Sequence, residues 1–121
     1  MNKRILVVED QPDIRRILRD LLTSAGYEII EAENGQEALE VVARERPNLI
    51  LMDIQLPLLD GYEVTRRIKA DPALRSIPII AITSYALSGD ESKAKAAGCD
   101  AYVAKPFSPR ALLAKVREYL P

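Results

Sequence analysis

The stretch LILMDIQLPLLDG, from Leu49 to Gly61, is apolar until it reaches Asp53. Four consecutive apolar residues at 49–52 are typical of a strand that is buried on both faces. Pro57 and Gly61 follow the aspartate, and both residue types favour turns. A buried strand that ends on a carboxylate therefore raises the question of what that carboxylate does.

Four further short apolar runs are spaced along the chain, and their length and boundaries are typical of strands. They are ILVV (5–8), YEII (27–30), IPIIAI (77–82) and AYVA (101–104). The longer segments between these runs carry apolar residues at helical spacing, which predicts helices.

Each predicted helix has an apolar stripe, and three helices have a candidate N-cap. The candidate caps are Asn34, Ser88 and Ser108, whose side-chain oxygens can accept from the first turn. The stripes are Ile14, Ile17, Leu18, Leu21 and Leu22; Ala38, Leu39, Val42 and Ala43; Val64 and Ile68; Ala94 and Ala97; and Leu112, Leu113, Val116 and Leu120. Strands and helices in strict alternation predict one α/β domain at residues 1–121, with a doubly wound parallel sheet covered on both faces.

Polar residues follow four of the predicted strands. They are Glu9 and Asp10 after the first strand, Asp53 after the third, Thr83 after the fourth and Lys105 after the fifth. Because parallel strands share one carboxyl edge, where such folds bind ligands, we expect three carboxylates, a hydroxyl and an ammonium to converge there.

Three carboxylates at one edge repel one another, and a hard divalent cation with oxygen ligands would neutralise them. Mg²⁺ fits because it retains water ligands and also binds phosphate oxygens. Glu9 and Asp10 taken alone would equally suit the N-terminus of a helix, as a cap and a favourable charge.

Asp53 in such a site has a chemical use, because a carboxylate can attack a phosphoryl group and become an aspartyl phosphate. Lys105 would bind one phosphoryl oxygen, and Thr83 could donate a hydrogen bond to another. A buried ion pair with Asp53 would also explain a lysine at position 105. Such a pair is compatible with a role for Lys105 in binding the phosphoryl group.

The composition excludes several other functions. The 17 Lys and Arg residues nearly balance 18 Asp and Glu residues, and a net charge of -1 gives no electrostatic case for nucleic-acid or membrane binding. The absence of histidine excludes Ser-His catalysis, histidine metal ligands and an internal phosphohistidine. A lone cysteine, Cys99, and short apolar runs lead us to expect a cytoplasmic protein.

Four motifs resemble, in order and spacing, the receiver domain of two-component response regulators. They are ILVVEDQ, LILMDIQLPLLDG, IIAITSYA and GCDAYVAKPFS. The resemblance covers nearly the whole chain and is greatest to single-domain receivers of the CheY and DivK type. It implies a flavodoxin-like fold of five parallel strands, in the order 2-1-3-4-5, with five helices.

The resemblance also implies roles for the acidic site. Asp53 would be the phosphoacceptor, and Lys105 would be the phosphate-binding lysine. Asp10, Asp53 and the backbone carbonyl of Gln55 would bind one Mg²⁺. Glu9 would take part through a water molecule or by pairing.

A second set of implied roles concerns switching. Thr83 would be the switch hydroxyl, and Tyr102 would be the aromatic residue that rotates with it, although packing alone would also explain a tyrosine there. The peptide bond before Pro106 is expected to be cis. Gln55 and Tyr85 match positions that tune dephosphorylation.

By resemblance, the chain is a stand-alone response regulator rather than an enzyme that turns over a substrate. A partner histidine kinase or phosphotransfer protein would supply the phosphoryl group. The signal would leave through a changed surface on the fourth helix, fifth strand and fifth helix, or the phosphoryl group would pass onward in a relay. We expect no output domain after Leu120, and a monomer or weak dimer.

Three alternatives stay open. A pseudo-receiver would act by protein contact without phosphorylation. A Mg²⁺-dependent phosphatase with an aspartyl nucleophile needs an acid two residues later, where this chain has Gln55. A flavin- or nucleotide-binding module needs a Gly-rich loop after the first strand, where EDQPD would repel an anion.

Overall fold

The apolar runs form the strands of one parallel sheet, and the segments between them form helices. The computed structural model describes residues 3–83 and 90–121, with side chains at all of these positions except 90 and 91. Within these residues the strands are β1 (Arg4–Val8), β2 (Glu28–Ala32), β3 (Leu49–Asp53), β4 (Ile79–Thr83) and β5 (Ala101–Ala104). The helices are α1 (Pro12–Ser24), α2 (Gly35–Glu45), α3 (Gly61–Ala70), α4 (Asp90–Ala97) and α5 (Pro109–Tyr119).

The strand order is β2-β1-β3-β4-β5, and every neighbouring pair is parallel. This arrangement confirms the predicted flavodoxin-like fold and its strand order. The helices in the described part of the chain are all too short or too polar to span a membrane.

Successive residues of each strand point to opposite faces of the sheet, so the core has two layers. On one face, Leu6 and Ile50 pack with apolar residues of α2, α3 and α4. On the other face, Ile5 and Leu51 pack with apolar residues of α1 and α5. β3 and β4 are buried along their whole length, because they lie inside the sheet and both of their faces are covered.

Side-chain caps fix the start of three helices. Asn34 accepts from the Glu37 N–H of α2 at 2.8 Å, and Ser108 accepts from the Ala111 N–H of α5 at 3.3 Å. Asp60 caps α3 in the same way at 3.0 Å, which the sequence pattern did not predict. Ser88, the candidate cap of α4, lies outside the described residues.

Two predicted core positions are wrong. Ile17 is 52% exposed, because it lies about 100° around α1 from Leu18, which packs on the sheet. Ala43 is exposed and Val41 is buried in its place on α2. The exposure of Ala43 has the same cause as that of Ile17, because Ala43 lies about 140° around the helix from the buried Ala38.

Candidate active site

The carboxyl edge of the sheet brings the predicted site residues together. Asp53 and Thr83 are the last residues of β3 and β4, and both are buried. Glu9 follows β1 directly and is also buried, and Lys105 follows β5 directly. Because β3 lies between β1 and β4, residues that are far apart in the chain become neighbours here.

Three carboxylates form a cluster at this edge. One carboxylate oxygen from each of Glu9, Asp10 and Asp53 lies within 4.8 Å of the others. The ammonium of Lys105 lies 2.9 Å from Glu9 Oε1 and 3.3 Å from Asp53 Oδ2. One cation thus contacts two of the three acids, and the cluster keeps an excess of negative charge.

Backbone groups hold two of these acids in place. The Gln11 N–H donates to Glu9 Oε2 at 3.2 Å, and the Gln55 N–H donates to Asp53 Oδ1 at 3.0 Å. Both carboxylates are therefore bound from the loop that follows their own strand.

The electrostatics of the pair formed by Glu9 and Lys105 reflect burial and proximity. Burial raises the pKa of Glu9, and the neighbouring Asp53 raises it further, while the Lys105 ammonium acts in the opposite direction. Burial alone lowers the pKa of Lys105, but the hydrogen bond to Glu9 and the two carboxylate charges outweigh it and raise that pKa. Lys105 is therefore a cation at neutral pH.

A groove of about 610 Å³ opens onto the acids. Asp10, Asp53 and Lys105 line its polar side. Its apolar lining is Ile14, Ile17, Phe107 and Pro109. Pro106 also lines the groove, and the peptide bond between Lys105 and Pro106 is cis.

Gly61 permits the close packing of the loop after β3, which sequence reasoning treated only as a turn. A Cβ at this position would lie 2.5 Å from the backbone oxygen of Asp53 and 2.8 Å from Ile54 Cα. Both neighbours are backbone atoms that cannot easily move. The Gly61 N–H also donates to the Ile54 carbonyl at 3.0 Å, so the loop is fastened beside Asp53.

The described residues assigned to switching are Thr83, at the buried end of β4, and Tyr102. Tyr102 is half-buried on β5 and packs against the layer that contains Ala94 of α4. It also lines a small cavity of about 220 Å³ with Cys99 and Tyr119. Tyr85 lies outside the described residues.

Comparisons with known proteins agree with this geometry. The sequence model of the response regulator receiver domain family matches residues 5–117 of the chain. The polar-differentiation response regulator DivK of Brucella anthropi is 45% identical over 120 residues, which cover 99% of this chain and 98% of that protein.

Two solved structures are similar over almost the full length. A putative response regulator from Chloroflexus aurantiacus superimposes with a TM-score of 0.95 at 31% identity, covering 99% of this chain and 98% of that one. The receiver domain of a sensor histidine kinase from Pseudomonas aeruginosa has a TM-score of 0.92 at 38% identity, with 99% and 98% coverage. That second structure has a magnesium ion coordinated in its active site cleft.

Proposed function

The chain belongs to the response regulator receiver family, and on that premise we propose that Asp53 accepts a phosphoryl group from a partner histidine kinase or phosphotransfer protein. Receiver domains are signalling switches rather than enzymes that turn over a substrate. The observation that carries the proposal is the position of Asp53, buried at the end of β3 between two further carboxylates and an ammonium.

The acid cluster fits a Mg²⁺ site. Its three carboxylates exceed the charge of Lys105, which contacts two of them in the described structure, and hard oxygen ligands suit Mg²⁺. Asp10, Asp53 and the backbone carbonyl of Gln55 would hold the ion. Glu9 would take part through a water molecule or by pairing with Lys105, whose ammonium lies 2.9 Å from its Oε1. Bound Mg²⁺ supplies positive charge that offsets the acids and the transferring phosphoryl group.

The transfer step needs one nucleophile from this chain. A carboxylate oxygen of Asp53 attacks the phosphorus and an O–P bond forms. The P–N bond to the donor imidazole breaks with its electron pair going to nitrogen, and because the other ring nitrogen carries a proton, the donor histidine leaves as a neutral imidazole. The donor histidine belongs to another protein, because this chain contains none. Lys105 binds one phosphoryl oxygen, and Thr83 donates a hydrogen bond to another.

The groove suggests how a donor protein reaches Asp53. Ile17 is exposed on α1, and Phe107 and Pro109 line the same groove as Asp10 and Asp53. An apolar rim around a polar reaction centre suits a protein surface that delivers an imidazole and excludes water. This rim is therefore the docking surface that we propose for the phosphodonor.

Phosphorylation would change the surface formed by α4, β5 and α5. The phosphoryl group carries close to two negative charges in place of the single charge of the Asp53 carboxylate, and Thr83 moves toward the phosphate while Tyr102 rotates. Ala94 and Ala97 are the buried anchors described on α4, and side chains this small hold a helix weakly. The changed surface binds a target protein, or the phosphoryl group passes onward in a relay.

The phosphatase alternative is disfavoured by the exposed Gln55, which cannot act as an acid at the position where such enzymes need one. A pseudo-receiver would keep the fold and the contacts but would not accept phosphate. Phosphoryl transfer itself therefore separates the two remaining functions.

Intact mass measured after incubation with acetyl phosphate and Mg²⁺ tests the proposal. We expect the wild type to gain one phosphoryl group, and we expect no gain with EDTA or in the Asp53→Asn variant. If the wild type gains nothing, beryllofluoride binding is followed by NMR. Binding with shifts at Thr83 and Tyr102 supports a receiver that accepts phosphate only from its own kinase, and no binding supports a pseudo-receiver.

A further inference from the structure

Arg15 links the loop that carries the acid pair to the edge of the sheet. Its Nη1 donates to the backbone carbonyl oxygen of Glu9 at 2.8 Å. Its Nε lies 3.2 Å from Glu31 on β2, and its Nη2 lies 3.4 Å from Glu33. Three nitrogen atoms of one guanidinium are thus engaged, and the side chain is only 14% exposed.

The Glu9 carbonyl belongs to the peptide unit that joins the two acids. Because a peptide unit is planar, fixing this carbonyl also fixes the N–H and Cα of Asp10. The Glu9 N–H is held as well, since it donates to the Ala32 carbonyl of β2 at 3.1 Å. Arg15 therefore acts on the orientation of Asp10 through the backbone.

Local capping contributes little to this loop. Gln11, the N-cap residue of α1, makes no side-chain cap hydrogen bond in the described structure. By contrast, the N-caps of α2 and α5 accept from their own first turns. The loop before α1 is instead held by Arg15, which reaches back from within the helix to the Glu9 carbonyl, and by the Gln11 N–H, which donates to Glu9 Oε2.

We infer that Arg15 is a positioning residue for the acid site, which sets the direction in which Asp10 presents its carboxylate to Mg²⁺. The inference rests on the proposed function. Arginine suits the role because its planar guanidinium reaches acceptors in several fixed directions at once, whereas a lysine ammonium is a flexible point charge.

Charge alone predicts the opposite effect on Mg²⁺. Removing a cation from the neighbourhood of a cation site favours Mg²⁺ binding if only Coulomb energy changes. Loss of positioning weakens Mg²⁺ binding instead, and residues that orient metal ligands typically contribute roughly 10- to 100-fold. The sign of the change therefore separates positioning from charge.

Arg19 is the matched control for Arg15. It lies one turn further along α1, and its Nη1 is 3.4 Å from the same Glu31. Its other ion pair is with Asp20, at 3.8 Å, and its side chain is 44% exposed. Substituting Arg19 removes the same charge from the same network without removing a bond to Glu9.

Calorimetric titration with MgCl₂ at fixed ionic strength compares the wild type, Arg15→Met and Arg19→Met. We expect Arg15→Met to weaken Mg²⁺ binding about tenfold and Arg19→Met to change it by less than about twofold. Equal changes in the two variants would overturn the inference. If Arg15→Met does not fold, Arg15→Lys is compared with Arg19→Lys, and equal affinities again overturn it.

A metal-free measurement keeps the inference separate from the proposed function. NMR relaxation of the Asp10 amide should show a lower order parameter in Arg15→Met than in Arg19→Met. An unchanged order parameter contradicts positioning by Arg15. A wild type that neither binds Mg²⁺ nor accepts phosphate counts against the proposed function, while the Asp10 amide still decides the role of Arg15.

Discussion

Two partly buried lysines lie at opposite ends of the sheet, and they differ in the number of carboxylates that surround them. Lys105 at the carboxyl edge is 15% exposed and contacts two carboxylates of a cluster of three. Lys69 at the end of α3 is 18% exposed and contacts one carboxylate, Asp100, at 3.0 Å. Its ammonium also donates to the backbone carbonyls of Arg75 and Ile77, at 3.1 and 2.8 Å.

The two lysines differ in whether the carboxylates around them exceed their charge. The three N–H groups of Lys69 have three acceptors, and one carboxylate balances its charge. Asp100 also accepts from the Ile79 N–H at 2.8 Å, and its carbonyl accepts from Tyr119 at 3.0 Å, so this cluster ties α3, β4 and α5 to the residue before β5. The Lys105 cluster keeps excess negative charge, which favours the uptake of a divalent cation.

Replacing Lys105 should give the largest effect. Lys105→Met leaves the buried carboxylates of Glu9 and Asp53 without their ammonium, and we expect metal-free stability to fall by about 4 kcal/mol. Mg²⁺ should restore more stability to this variant than it adds to the wild type, because the ion takes over charge compensation. Urea unfolding with and without MgCl₂ measures the loss of stability and its restoration by Mg²⁺. A loss of the same size with and without MgCl₂ would argue against the metal site.

Replacing Lys69 should give a smaller effect that does not depend on metal. Lys69→Met removes hydrogen bonds to two backbone carbonyls and to Asp100, and we expect a loss of about 2 kcal/mol. The same urea experiment should return equal losses with and without MgCl₂. A stability loss in Lys69→Met that depends on Mg²⁺ would show that the Lys69 and Lys105 clusters do not differ in the way described.

Substituting the glycine beside Lys69 should give the smallest effect. Gly98 has a φ of +106°, and a Cβ there would lie 2.9 Å from Lys69 Cγ. The lysine stem can move aside, so the strained backbone dominates, and we expect Gly98→Ala to cost about 1 kcal/mol. Thermal unfolding measures this, and an unchanged melting temperature would show that the turn adopts another conformation.

The strands show how far local pattern predicts this fold. The runs at 49–52 and 101–104 match β3 and β5 closely. β2 is predicted at 27–30 but extends over 28–32, because it is an edge strand whose polar residues Glu28 and Glu31 interrupt the apolar signal. Burial on both faces makes a strand easy to recognise, and exposure of an edge makes its limits harder to place.

The sequence by itself determined the alternation of strands and helices, the helix caps at Asn34 and Ser108, and the order in which acids, hydroxyl and lysine follow the strands. These are local properties, carried by periodicity and by residues within one turn of each other. Only the tertiary structure decided that Lys105 lies 2.9 Å from Glu9, 96 positions away, and that Arg15 reaches the carbonyl between the two acids. Such contacts depend on strand order and helix rotation, which arise when the whole core packs and which no short segment encodes alone.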